Sequence, residues 1–141
     1  MPPEPPASFS ADEQAPLGAL VAQIIPASQH FGQPAADDPD ILADILTTGA
    51  ALRDTLVTAL AWLSGQTVDA GVAAEFRQAF PAQAELIQTL TVQCYCRDAR
   101  VMRALNIDVR PPFPTGYTQE PNDFALLDPV RQRGEIYRKL P

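Results

Sequence analysis

The sequence predicts an all-α protein: a small helical bundle of about five or six helices, followed by a long irregular Pro-rich C-terminal tail. Three observations predict this. The fifteen prolines crowd the ends, with four in the first six residues and six (Pro111, Pro112, Pro114, Pro121, Pro129, Pro141) after Asn106. A proline inside a helix removes a donor and clashes with the turn before it, so the ends exclude long helices and the middle is left nearly free to form them. Between Phe9 and Leu105 the apolar residues recur every three or four positions, and no segment alternates apolar with polar as a strand would. The tail nonetheless carries Phe113, Tyr117, Phe124, Leu126, Leu127, Val130, Ile136 and Tyr137, which unstructured tails are poor in, so it needs a surface to lie on.

The elements follow in order. Residues 1–9 read as a mobile Pro-rich leader, 10–105 as the helical body and 106–141 as an extended tail that wraps a partner. Ser10 and Glu13 form a capping-box pattern, with Ser10 as N-cap. Leu17, Leu20, Val21, Ile24 and Ile25 then make one apolar stripe, which Pro26 ends by disfavouring helix at Ile25. Asp38-Pro39 restarts a helix with a capping carboxylate and a proline at the first helical position. Ile41, Leu42, Ile45 and Leu46 form its apolar face. Thr47-Thr48-Gly49 is a candidate break before Leu52, Leu56, Leu60 and Leu63, which lead to the stop at Ser64-Gly65. Thr67 or Asp69 opens a short helix with Val72, Phe76 and Phe80. Pro81 opens the next, which runs through Leu86, Leu90, Val92 and Tyr95 to about Cys96. Asp98 caps a last short helix holding Val101, Met102 and Leu105.

At 141 residues the chain is long enough for one core of its own. Its net charge of −7 disfavours nucleic acid as a partner. The charge is polarised: residues 1–96 hold two basic against eleven acidic residues, and residues 97–141 hold eight against six. Two readings fit the C-terminal arginines. They fold back on the acidic body, or they reach a partner, since arginine is enriched at interfaces. The candidate partner-binding residues are Arg110, Phe113, Tyr117, Phe124, Leu127, Arg131, Arg133, Tyr137 and Arg138, because aromatic anchors and arginines dominate interface energetics.

Little in the body suggests chemistry. His30 stands alone and reads as a loop side chain. Cys94 and Cys96 have one residue between them where metal and redox motifs have two, so they read as core or groove-lining thiols, and two such close cysteines make no disulfide framework. Asp37, Asp38, Asp40 and Asp44 read as a capped, solvated helix start stabilised by the helix dipole. They lack the glycine and glutamate of a calcium loop. No phosphate-binding loop or nucleophile elbow occurs. The expectation is a chain without catalytic, cofactor-binding or metal-binding residues. No run of about 18 apolar residues is present, so no membrane-spanning segment is expected. MPPEPPASFS lacks the basic and apolar regions of a signal peptide, which favours a cytoplasmic location. The alternative is a periplasmic one, reached by co-export with a partner that carries the signal.

The run Ala19-Leu20-Val21-Ala22-Gln23-Ile24-Ile25-Pro26, followed by Phe31-Gly32-Gln33-Pro34-Ala35-Ala36, resembles the opening signature of the gluconate 2-dehydrogenase subunit 3 family. Gln93 to Tyr117, QCYCRDARVMRALNIDVRPPFPTGY, is similar to its closing pattern, in which an aromatic precedes Asp-x-Arg-Val-x-x-x-Leu and a Pro-rich Gly-Tyr segment. The ending LLDPVRQRGEIYR resembles members that pair with flavoprotein dehydrogenases. Together these cover about Leu17 to Arg138. The resemblance implies a small non-catalytic subunit of a heteromeric oxidoreductase complex. Such a subunit binds a large FAD-dependent GMC-type (glucose–methanol–choline) oxidoreductase acting on sugars, glycosides or other alcohols, and stabilises it or assists its maturation. FAD is then expected in the partner and no cofactor in this chain, with a cytochrome c subunit as a further candidate partner. Many members bear a twin-arginine export signal, which this sequence does not show. The alternative function is a stand-alone helical adaptor or regulator without a flavoprotein partner.

Overall fold

Ser10 starts the first helix by the device its spacing suggests. In the computed structural model, which describes residues 8–109 and 123–134, the Ser10 backbone N–H donates to the Glu13 carboxylate at 2.8 Å, and the Ser10 carbonyl accepts from the N–H groups of Glu13 and Gln14. The helix so begun, α1, spans Ala11–Ile24. Pro16 lies inside it and removes the donor that the Asp12 carbonyl would have used; Asp12 is exposed, so water can serve that carbonyl. Leu17, Leu20 and Val21 are buried, and Ile25 turns extended ahead of Pro26.

The body continues with α2 (Pro39–Gly49), a 3₁₀ turn at Ala50–Leu52, α3 (Arg53–Leu63), α4 (Ala70–Ala79), α5 (Pro81–Arg97) and α6 (Ala99–Ala104). Each start has a local cause except that of α3, which continues directly from the 3₁₀ turn. Asp38 accepts from the Asp40 N–H at 3.2 Å, Asp69 from Val72 at 2.9 Å, and Asp98 from Arg100 at 2.8 Å. Pro39 and Pro81 occupy first turns, where a missing N–H costs nothing. The end of α6 is closed by Asn106 at φ 58°. The Ile107 N–H there reaches the Met102 carbonyl at 2.8 Å, and the Asn106 N–H reaches Arg103 at 3.0 Å. The expected break at Thr47-Thr48-Gly49 falls slightly later, because the chain tightens into the 3₁₀ turn instead of opening a loop. No strand occurs among the described residues beyond an isolated bridge between Ser28 and Gln33.

α5 is the central element and packs against α1, α2, α3, α4 and α6. Its buried face is Ile87, Leu90, Thr91, Cys94 and Tyr95, whereas Val92 is 42% exposed and Leu86 only partly covered. The face predicted through Leu86 and Val92 is thus rotated. Thr91 can stand in the core because its hydroxyl donates to the Ile87 carbonyl at 2.7 Å. The Tyr95 hydroxyl donates to the Pro34 carbonyl at 2.9 Å and ties α5 to the loop before α2. Trp62, Phe76 and Phe80 join α3 to α4 with ring centroids 5.5 to 6.3 Å apart.

Phe9 corrects the reading of the leader. Only 3% of it is exposed, and it joins the same buried cluster as Leu17 and Leu90. Gly49 makes room for it: a Cβ at that position would stand 2.7 Å from Leu90 Cδ2 and 3.5 Å from the Phe9 ring. The Gln14 amide holds the Phe9 carbonyl at 2.8 Å. The bundle therefore begins one residue before its first cap. By contacts the chain divides into Met1–Val109 and Arg110–Pro141, so the first unit also extends past Leu105. In the second unit, Asp123 accepts from the Ala125 N–H at 3.0 Å and starts a 3₁₀ helix, Phe124–Leu127, which leads into α7 (Asp128–Arg133).

Candidate partner-binding surface

The second unit carries the described part of the candidate surface. Pro129 occupies the first turn of α7, and Gly134, at φ 67°, ends the helix in a conformation that side chains disfavour. Along the 3₁₀ helix and α7, Phe124 is 61% exposed, Leu126 76%, Leu127 46% and Val130 60%. Four large apolar side chains within seven positions stand in water, where covering each would contribute about 1.5–3 kcal/mol. Arg131 and Arg133 follow them on α7, both exposed. Arg131 lies 3.5 Å from the Asp128 carboxylate, an exposed pair one turn apart and of little energetic weight. The arrangement offers an apolar anchor followed by two guanidinium forks. Of the predicted partner-binding residues, Phe124, Leu127, Arg131 and Arg133 therefore share one short segment. Arg110, Phe113, Tyr117, Tyr137 and Arg138 lie outside the described residues.

The body arginines behave differently. Arg97, at the end of α5, donates from Nε to the Asp44 carboxylate at 2.6 Å and also reaches the Thr48 hydroxyl. Arg100 donates to Asp38 at 2.6 and 3.1 Å and to Asp98 at 3.0 and 3.2 Å. The charge-assisted bonds from Arg100 hold the Asp38 and Asp98 carboxyls below the usual carboxylate range, and Arg97 does the same to Asp44. The bonds to Asp38 and Asp98 in turn raise the Arg100 guanidinium. Three of the four acidic residues at the start of α2 are thus not simply solvated, since Asp40 also stands 3.8 Å from Arg100. Asp38 and Asp44 seat arginines from the far end of the body, which is the fold-back reading of Arg97 and Arg100. Sequence offered one signal for this, the opposite charges of the two segments, but no register.

The remaining polar groups are placed as follows. His30 is exposed in the loop between α1 and α2, edge-on to Phe31 at 4.6 Å. Cys94 is buried and Cys96 exposed, on different sides of α5. Burial pushes the Cys94 thiol up, beside Arg97 at 3.5 Å. Burial also raises the Tyr95 hydroxyl. Among the described residues, no group of three or more His, Cys, Asp and Glu side chains is placed to share a metal ion. No helix among them is long and apolar enough to cross a membrane. Comparison with protein-family models, curated protein sequences and solved structures finds no match for the chain.

Proposed function

We propose that this chain is a non-catalytic small subunit that binds a large FAD-dependent oxidoreductase of the glucose–methanol–choline type, acting on sugars, glycosides or other alcohols, and stabilises it or assists its maturation. The observation that carries the binding role is the exposed row of Phe124, Leu126, Leu127 and Val130 beside Arg131 and Arg133. Large apolar side chains next to guanidinium groups are the composition of interface hot spots. The flavoprotein as partner rests on the sequence resemblance over Leu17 to Arg138. The partner holds the FAD and performs the reaction, with a cytochrome c as a further candidate subunit. The complex resides in the cytoplasm, or in the periplasm when the partner carries the export signal.

Affinity purification of the tagged chain from its native host, with mass spectrometry of what accompanies it, tests this reading. The expected result is one large flavoprotein with flavin absorbance in the complex, and a colourless preparation when this chain is expressed alone. Recovery of the chain without any flavoprotein, under conditions where the complex's substrate oxidation is detectable in the lysate, would overturn it.

A further inference from the structure

A cavity of about 270 Å³ opens between α1, α4 and α5. That is close to the lower end, about 300 Å³, of sites that hold small molecules. Its deep wall is apolar: Phe76 is fully buried, Leu20 4% exposed and Ala73 7%, with Ile24 and Ala84 beside them. The space exists because alanines stand where the helices approach one another; a leucine at Ala73 or Ala84 would fill it. The margin is polar and exposed. The amides of Gln23 and Gln88 lie there, with the Gln23 amide donating to the Val68 carbonyl at 3.5 Å.

Arg77 completes the margin. Residues 1–96 contain two basic side chains, Arg53 and Arg77. Arg53 is held by Glu13 at 2.7 Å, whereas Arg77 forms no ion pair with a described residue. None of the body's eleven carboxylates lines the cavity. Glu85 lines a neighbouring depression with Arg77. An apolar floor, two neutral amides and a guanidinium without an ion pair among the described residues make a matched set for a molecule with a hydrocarbon body and one anionic end. A guanidinium binds a carboxylate through parallel hydrogen bonds, and the amides offer further donors to it.

We propose that this cavity binds a small aliphatic monocarboxylate, its chain against Phe76 and Leu20 and its carboxylate on Arg77. The proposal is independent of the flavoprotein reading and concerns the isolated chain. Trp62 gives a built-in reporter, because it is the single tryptophan and its ring lies 6.3 Å from that of Phe76. The test titrates the purified full chain with hexanoate, hexanol and hexylammonium, following Trp62 fluorescence and heat by calorimetry. Saturable binding of hexanoate, with hexanol weaker and hexylammonium absent, is expected. Arg77→Gln should weaken hexanoate by roughly tenfold or more, the loss expected for a charge-assisted hydrogen bond. Ala84→Leu should abolish binding while helical circular dichroism is retained; if that variant does not fold, Ala70→Leu on the rim fills the same space. No saturable binding of hexanoate, equal binding of hexanol, or an unchanged affinity in Arg77→Gln would each overturn the proposal.

Discussion

Arg53, at the start of α3, grips the carboxylate of Glu13 on α1 through Nε at 2.8 Å and Nη2 at 2.7 Å. The same carboxylate accepts the Ser10 backbone N–H, so one side chain both caps a helix and pins it to its neighbour. The Arg53 bonds and the Ser10 bond hold the Glu13 carboxyl below its ordinary range. Glu13→Ala should lower the unfolding free energy by about 1–2 kcal/mol, the cost of losing bonds to a charged group. Glu13→Gln, which keeps an acceptor for Ser10, should lose less. Urea unfolding followed by circular dichroism measures both; equal losses would show that the cap bond contributes nothing.

Acid should weaken the bundle in a defined window. The folded carboxyls of Glu13, Asp38, Asp44 and Asp98 all lie below their ordinary values. The unfolded chain therefore binds more protons than the folded one as the medium becomes acidic. The stability these groups confer is present above the unfolded carboxylate range of about 4, and is lost as the pH falls through the lower folded values. Thermal melts from neutral to acidic pH should stay level for this contribution and then drop below about pH 4. The drop should be shallower in Asp38→Asn, in which Arg100 loses its shortest carboxylate contact and keeps Asp98 at 3.0 Å and Asp40 at 3.8 Å.

Phe9→Ala should cost about 3–5 kcal/mol, the range for truncating a buried phenylalanine. Ser8→Ala, one position earlier and exposed, should leave the melting temperature unchanged. Similar melting temperatures for the two variants would remove Phe9 from the core.

The thiols should react separately. Cys96 is exposed and Cys94 is buried with its thiol pushed up by burial. Alkylation of the native chain should modify Cys96 quickly and Cys94 only on unfolding, since reaction needs both access and thiolate. Peptide mapping after a timed alkylation reads this directly, and rapid labelling of Cys94 would contradict the packing of α5.

Assembly should depend on the second unit without the body noticing. The double change Phe124→Ala and Leu127→Ala should reduce recovery of the partner, and Arg131→Ala with Arg133→Ala should do so more mildly. Neither should shift the melting temperature by more than about 1 °C, since exposed substitutions change stability little. A large shift would mean that these side chains support the fold.

The capping residues Ser10, Asp38, Asp69 and Asp98 were legible in the sequence because each acts on backbone two or three residues away. What stayed hidden depends on distant partners. Burial of Phe9 needs Gly49 and Leu90 to close around it. Arg97 and Arg100 find acids 53 and 62 positions earlier, a pairing that charge segregation suggests and no local pattern fixes. The face of α5 departs from its apolar pattern because Thr91 is less apolar than Val92 yet bonds its own helix and so suits the core. The cavity beside Arg77 is a property of three crossing helices and leaves no mark in any one of them.

The central place of α5 has a consequence for synthesis. The ribosome releases Phe9, Leu17 and Ile41 long before it releases Leu90 and Tyr95, the residues that cover them or brace their loops. Until α5 emerges, the nascent chain carries four helices whose sticky sides have no lid, and domains close as units only when the last member arrives. The body can therefore close only once Val101 has followed α5 out of the ribosome, late in the synthesis of the first unit.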